Sequence, residues 1–138
     1  MYFSTAALAA LATLGVRAGK IPRQNIPRTE MGPPADTVCQ TSDGSPVRDD
    51  CQAALDALDC AVAPGWCVQT LGSGSFCTEI QRSGSCVIEI CGPFQAHNNR
   101  SNIDAALSNL YNDCTDGGGL VGGYTNFKNG GSAQAYHS

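Results

Sequence analysis

Residues 39–114 read CQTSDGSPVRDDCQAALDALDCAVAPGWCVQTLGSGSFCTEIQRSGSCVIEICGPFQAHNNRSNIDAALSNLYNDC, and all 8 cysteines of the chain lie within them. They are Cys39, Cys51, Cys60, Cys67, Cys77, Cys86, Cys91 and Cys114. Such density marks a disulfide scaffold, in which bridges supply the stability that a small core cannot. An even count behind a secretory leader implies four bridges, and spacing leaves the connectivity open. Zinc is the competing use. Cys86 and Cys91 have loose ligand spacing, but there is no CxxC pair and only two histidines, His97 and His137, so neither a metal site nor a cofactor is expected.

The leader is read from residues 1–18. Ala6–Val16 is an apolar run, and Val16-Arg17-Ala18 offers small residues at the two positions that a signal peptidase reads. The run is shorter than the roughly 20 residues of a membrane-spanning helix, and no second apolar run follows, so a secreted, extracellular protein without a membrane span is expected. Residues 19–35 repeat Ile-Pro-Arg at Ile21–Arg23 and Ile26–Arg28 and end near Pro33-Pro34. Proline at this density blocks helix and sheet interior alike, which predicts a basic, flexible arm, or a pro-segment.

From Asp36 to Lys128 the charge reverses. Four basic residues, Arg48, Arg82, Arg100 and Lys128, face eleven acidic ones. Nucleic acid and anionic membrane need clustered positive charge, so both are disfavoured as partners. A protein of the extracellular space remains the expected partner, met by a monomer.

Within residues 36–128 the periodicity predicts an α+β module. Asp36–Thr41 reads as a strand. Ser45 as N-cap and Pro46 at the first helical position open a helix over 46–59, with Val47, Cys51, Ala54, Leu55 and Leu58 on its inner face. Trp66–Leu71 reads as a strand, followed by a hairpin of Phe76–Ile80 and Ser85–Cys91 around residues 81–84. Alternation in Cys86-Val87-Ile88-Glu89-Ile90-Cys91 sets Cys86, Ile88 and Ile90 on one face. A polar loop at Ala96–Ser101 carries the N-glycosylation sequon Asn99-Arg100-Ser101. A second helix capped by Ser101 or Asn102 turns Ile103, Ala106, Leu107, Leu110 and Cys114 inward. Leu120–Phe127 is a last strand with Gly122-Gly123 at a bulge or edge, and residues 129–138 read as a disordered tail. The fold class is a small disulfide-rich sandwich, two helices packed on one face of a mainly antiparallel sheet. Cys51 and Cys114 then reach from the helices to sheet cysteines.

Thr41-Ser42-Asp43-Gly44-Ser45-Pro46 running into Asp50-Cys51, Gly84-Ser85-Cys86 leading a strand, and Asn102-Ile103-Asp104 opening a helix that closes into Gly117–Gly123 form a set. It resembles the secreted necrosis-inducing effector family of fungal plant pathogens, and smut killer-toxin-like proteins share the layout. The resemblance covers roughly residues 39–124. It implies secretion into the apoplast and plant cell death or defence responses, or growth inhibition of competing cells. It carries no catalytic residues. The scarcity of Lys and Arg departs from toxins that act on channels.

Enzyme chemistry finds little material. Asp49-Asp50 and the Asp56/Asp59 pair suit helix capping and solubility, whereas a glycosidase needs carboxylates facing each other across a cleft. His97 as a general base has no nucleophile placed beside it by the sequence, and His137 lies in the tail. A non-enzymatic binding protein is expected. Tyr124 and Phe127 near a glycine-rich edge are the candidate partner surface, Trp66 and Phe76 are assigned to the core, and the loops at 72–75 and 96–101 are the next candidates. An inhibitor of a secreted enzyme is the alternative class, and a small hydrolase the third.

Overall fold

The structure is a computed structural model and describes residues 29–60, 65–72 and 76–138. The leader over 1–18 and the basic residues Lys20, Arg23 and Arg28 lie outside the described residues.

Seven strands and two helices follow in the order β1 (Pro34–Cys39), α1 (Arg48–Asp56), β2 (Trp66–Val68), β3 (Cys77–Ser83), β4 (Cys86–Cys91), β5 (His97–Asn99), α2 (Arg100–Cys114), β6 (Gly123–Phe127) and β7 (Ser132–His137). The main sheet has the order β1-β6-β7-β4-β3, and every pairing in it is antiparallel. A second sheet pairs β2 with β5. The molecule is thus a small disulfide-rich α+β protein.

The alternation in β4 places Cys86, Ile88 and Ile90 in the core, facing buried Cys51, Ala54 and Leu55 of α1. The helix α2 contributes Ile103, Ala106, Leu107, Leu110 and Cys114 to the same core, with Tyr111 added. The Tyr111 hydroxyl donates to the Cys51 carbonyl at 3.2 Å, and burial raises its pKa. Four disulfides join the layers: Cys39–Cys114, Cys51–Cys86, Cys60–Cys67 and Cys77–Cys91, with no free cysteine. Two of them run from a helix to a strand, Cys51 to β4 and Cys114 to β1.

Five expectations are corrected. Residues 129–138 are not a disordered tail, because β7 lies between β6 and β4 with Ala133 and Ala135 buried. Short, weakly apolar side chains hide a central strand when its neighbours supply the bulk. The end of the arm is also part of the fold. The Met31 N–H donates to the His97 carbonyl and the His97 N–H to Thr29, at 2.9 and 3.1 Å, and the Met31 side chain is 1% exposed. It seats between Gly92 and Gly131, where a Cβ would come within 3.1 Å of its Cε or 2.9 Å of its Sδ. Prolines do not exclude this course, since Pro34 opens an edge strand where a missing N–H is tolerated.

The third correction concerns the start of α1. Ser45 does not cap it; Pro46 accepts a hydrogen bond from Val121, and the N-cap is Val47, which has no side-chain cap of its own. The first helical N–H, that of Arg48, donates to the Gly119 carbonyl at 2.9 Å, and the β3–β4 turn braces the residues beside it. The Val47 N–H donates to Ser85 Oγ at 2.9 Å, while Ser85 N–H and Oγ–H both donate to Asp50 Oδ2 at 2.7 Å. This turn is Gly84-Ser85, later than the expected 81–84, because a bulge between Glu79 and Gln81 lengthens β3. At the other end of α1, Arg100 of the sequon donates to the Leu55 and Leu58 carbonyls and pairs with Asp104. Fourth, the segment expected as a loop at 96–101 contains β5 and the first turn of α2, capped by Asn99, whose side chain accepts from Asn102 N–H at 2.8 Å.

The hydrogen bonds to Asp50 predict a pH signature. The Ser85 N–H lowers the Asp50 pKa most, then the Ser85 hydroxyl, against a smaller effect of burial. A depressed folded-state pKa means stability that is present above the unfolded value of about 3.9 and lost as pH falls through the folded one. Thermal melts across that range should show Asp50→Asn less stable than the parent near neutrality, with the gap closing in acid. A gap of constant size would show that this carboxylate has no such role.

Candidate functional site

The fifth correction concerns the aromatic residues expected at a partner surface and in the core. Phe127 is 3% exposed, because β6 is an interior strand whose alternate residues Gly123, Thr125 and Phe127 turn to the core. Tyr124 is half-buried on the opposite face. Phe76 is not core but 75% exposed, and Trp66 is half-buried with its ring edge-on to His97 at 5.2 Å. Phe94 and Leu71, 55% and 49% exposed, are the other large apolar side chains left in water near Phe76. Neither was singled out by sequence: Phe94 is isolated in a loop without a periodic signal, and Leu71 is expected to end a strand, whereas β2 stops at Val68.

Backbone hydrogen bonds bring these three residues to one end of the molecule. Gly92 N–H donates to the Phe76 carbonyl at 2.6 Å, and Gln95 N–H to the Gln69 carbonyl at 2.8 Å. The N–H groups of Thr70 and Leu71 both point at Thr78 Oγ1, at 2.9 and 3.3 Å. The fully buried Gln69 side chain holds the loops together, donating to Gly92 O and accepting from Thr78 Oγ1 at 3.1 Å. Cys60–Cys67 and Cys77–Cys91 pin the two sides of this loop cluster. Residues 73–75 of the expected 72–75 loop lie outside the described residues.

Next to Phe94, Gln95 has a left-handed backbone, φ 66°, the one non-glycine residue with positive φ among those described. Such a conformation costs about 1–2 kcal/mol and persists where the surroundings hold it, commonly at binding sites. Behind the loops, Asn98 is fully buried with its side chain satisfied by Gly32, Asn99 and Asn102. The apolar residues therefore stand on a rigid base. That arrangement suits recognition of a surface, with little ordering entropy left to lose on binding.

The residues weighed for catalysis are spread apart. Asp50 is engaged with Ser85, and Asp56 accepts from Gln52 at 2.9 Å. Asp59 and Glu79 do line one cavity of about 190 Å³, but Glu79 is held by Arg82 in a two-point ion pair at 2.5 and 2.6 Å. That hydrogen bond lowers its pKa, the reverse of what a general acid needs. Among the described residues the buried His97 Nδ1 has no hydrogen-bond partner, and no carboxylate orients it as a base. Cys77, Glu89 and Cys91 lie close enough to share an ion, yet both sulfurs are bridged to each other and are not thiolate ligands. The sequon residue Asn99 is half-buried at the start of α2, its side-chain oxygen committed to the cap. Among the described residues no helix is long and apolar enough to cross a membrane. No protein family, no curated protein and no solved structure matches the chain.

Proposed function

We propose that this is a secreted, cysteine-rich, fungal effector-like protein that binds a host protein in the extracellular space and elicits or modulates plant cell death or defence. The observation that carries the binding role is the trio Leu71, Phe76 and Phe94, exposed together on disulfide-pinned loops. Large apolar side chains left in water on a rigid mount are the usual anchors of a protein partner. The net charge of −4 argues for a protein target over an anionic lipid one. Four disulfides and no free cysteine suit an oxidising compartment rich in proteases. The fold reading that accompanies this proposal is a sandwich with both helices on one face of the sheet, supported by the packing of α1 on β3 and β4 and of α2 on β1, β6 and β7.

The test is leaf infiltration of the oxidised chain from residue 19 onward, beside the same protein reduced and alkylated. Cell death or a defence burst from the oxidised sample alone is expected. Phe76→Asp with Phe94→Asp should abolish it while leaving stability within about 0.5 kcal/mol, since both side chains face water. A response that survives both substitutions would remove this surface from consideration. A second reading, inhibition of a secreted enzyme, is favoured by the loop between Cys67 and Cys77, which is bridged at both ends. Stoichiometric protease inhibition lost in Phe76→Ala would select it.

A further inference from the structure

A cleft of about 240 Å³ opens at the end of the main sheet away from the apolar loops, between the segment at 40–46 and the last residues of β7. Gly123 has φ 134°, and a Cβ there would overlap the Val38 carbonyl oxygen. At Gly122 a Cβ would come within 2.7 Å of Ser45 Oγ. β1 and the 40–46 segment thus approach Gly122 and Gly123 closely, and these two glycines line the cleft with bare backbone.

The walls are chemically uniform. Gln40 and Ser42 stand on one side, Gln134, Tyr136 and His137 on the other, and no Lys, Arg, Asp or Glu is among the described lining residues. Apart from the His137 imidazole, a phosphate or a sulfate would find no opposing charge there. No apolar hole is present to receive a peptide side chain. Amides, hydroxyls and one aromatic ring are the groups that satisfy the alternating hydroxyls and C–H faces of a sugar. The volume lies below the roughly 300 Å³ at which pockets for drug-sized ligands begin, and suits one or two sugar rings.

The aromatic wall is held in place before any ligand arrives. Tyr136, 39% exposed, donates its hydroxyl to Glu89 Oε1 at 2.8 Å, and Gln134 Nε2 donates to Glu89 Oε2 at 2.7 Å. One carboxylate, on the neighbouring strand β4, therefore fixes both side chains. Burial and the hydrogen bond to Glu89 push the Tyr136 hydroxyl up to about 12, so the ring stays neutral in any extracellular fluid. Preorganisation of this kind lowers the entropic cost of binding a flexible polar ligand.

We infer that this cleft binds a neutral oligosaccharide, with Tyr136 stacking on a sugar ring and Gln40, Ser42 and Gln134 hydrogen-bonding its hydroxyls. The site is separate from the apolar loops, so the protein would carry a glycan-binding site beside its protein-binding one, and either can fail without the other.

The experiment is titration calorimetry of the oxidised chain with soluble oligomers of glucose, mannose, xylose and N-acetylglucosamine, together with a sulfated oligosaccharide and a neutral peptide. Binding of at least one neutral series is expected, weakened about tenfold or more by Tyr136→Ala and severalfold by Gln40→Ala with Ser42→Ala, and unchanged by Phe76→Asp. The second variant decides the matter if loss of the Glu89 contact unfolds the first, since Gln40 and Ser42 are exposed. Absence of binding to every neutral oligomer overturns the inference. So does binding that both variants leave intact, or a preference for the sulfated sugar or the peptide.

Discussion

A chain ended after Asn129 does not fold. This is the expected result of removing β7, and it is the largest effect predicted for the molecule. The lost segment pairs with β4 along its whole length, from Cys86↔His137 to Cys91↔Ser132, and with β6 from Gly123↔Ala135 to Asn126↔Ser132. Without it, β4 and β6 each present a row of unpaired N–H and C=O groups in the middle of the sheet. Each buried polar group left unsatisfied costs about 1–3 kcal/mol, and a few of them exceed the total stability of about 5–15 kcal/mol of an ordinary domain. The holes left by Ala133 and Ala135 add to this. The shortened chain should show no cooperative unfolding transition, no near-ultraviolet circular dichroism and scrambled disulfides. A cooperative transition with the four native bridges intact would mean that the sheet closes without β7. A milder version, Ala135→Glu, should also be strongly destabilising because it buries a charge on the core face.

The second large effect concerns Cys51–Cys86. Both residues are fully buried, and their bridge joins the middle of α1 to the first residue of β4 across a separation of 35. Replacing both by serine removes the constraint on the unfolded chain, about 4 kcal/mol for a loop of this length, and leaves two hydroxyls in an apolar core. Replacement by alanine spares the hydroxyls and isolates the first of these. The serine pair should fail to reach the native state. The alanine pair should fold with a denaturant midpoint lowered by an amount equivalent to about 2–5 kcal/mol. By comparison, Cys39 is exposed, so opening Cys39–Cys114 exchanges less packing for the same kind of chain entropy. The Cys39–Cys114 loop is the longer, worth about 0.7 kcal/mol more in chain entropy, so a Cys51–Cys86 loss smaller than the Cys39–Cys114 loss by this amount would show that burial around Cys51 contributes nothing beyond the cross-link.

Both predictions turn on features of unequal visibility in the sequence. The helix faces were legible. Cys51, Ala54, Leu55 and Leu58, and Ile103 through Cys114, recur at helical spacing and all of them are buried. Val47 alone departs, 44% exposed at the N-cap. The inner face of β4 was legible too, because Cys86, Ile88 and Ile90 recur at every second position, although Val87 on the other face is buried as well. In each case a local period states directly which side meets the core, and no distant residue can change it.

What remained hidden depends on neighbours far along the chain. Ser132–His137 has no bulky apolar residue on its inner face, so only the pairing with β4 and β6 makes it a strand. Met31 is buried because Gly92 and Gly131 leave room for it. The start of α1 is held by the Gly119 carbonyl, which accepts from Arg48 N–H, and by Ser85, 38 residues beyond Val47, while the nearby Ser45 accepts from Ser42 N–H instead. The same reason explains the surfaces. Whether a loop phenylalanine is core or exposed is decided by what covers it, and Phe76 and Phe94 stay in water because Gln69 and two disulfides draw their loops together at the end of the molecule. The sequence by itself determined the composition of the core and the two helices, through patterns that act within a few residues. The tertiary structure alone decided the order of the strands, the partner of each cysteine, and which aromatic residues stay in water, since these follow from contacts between segments that no local period records.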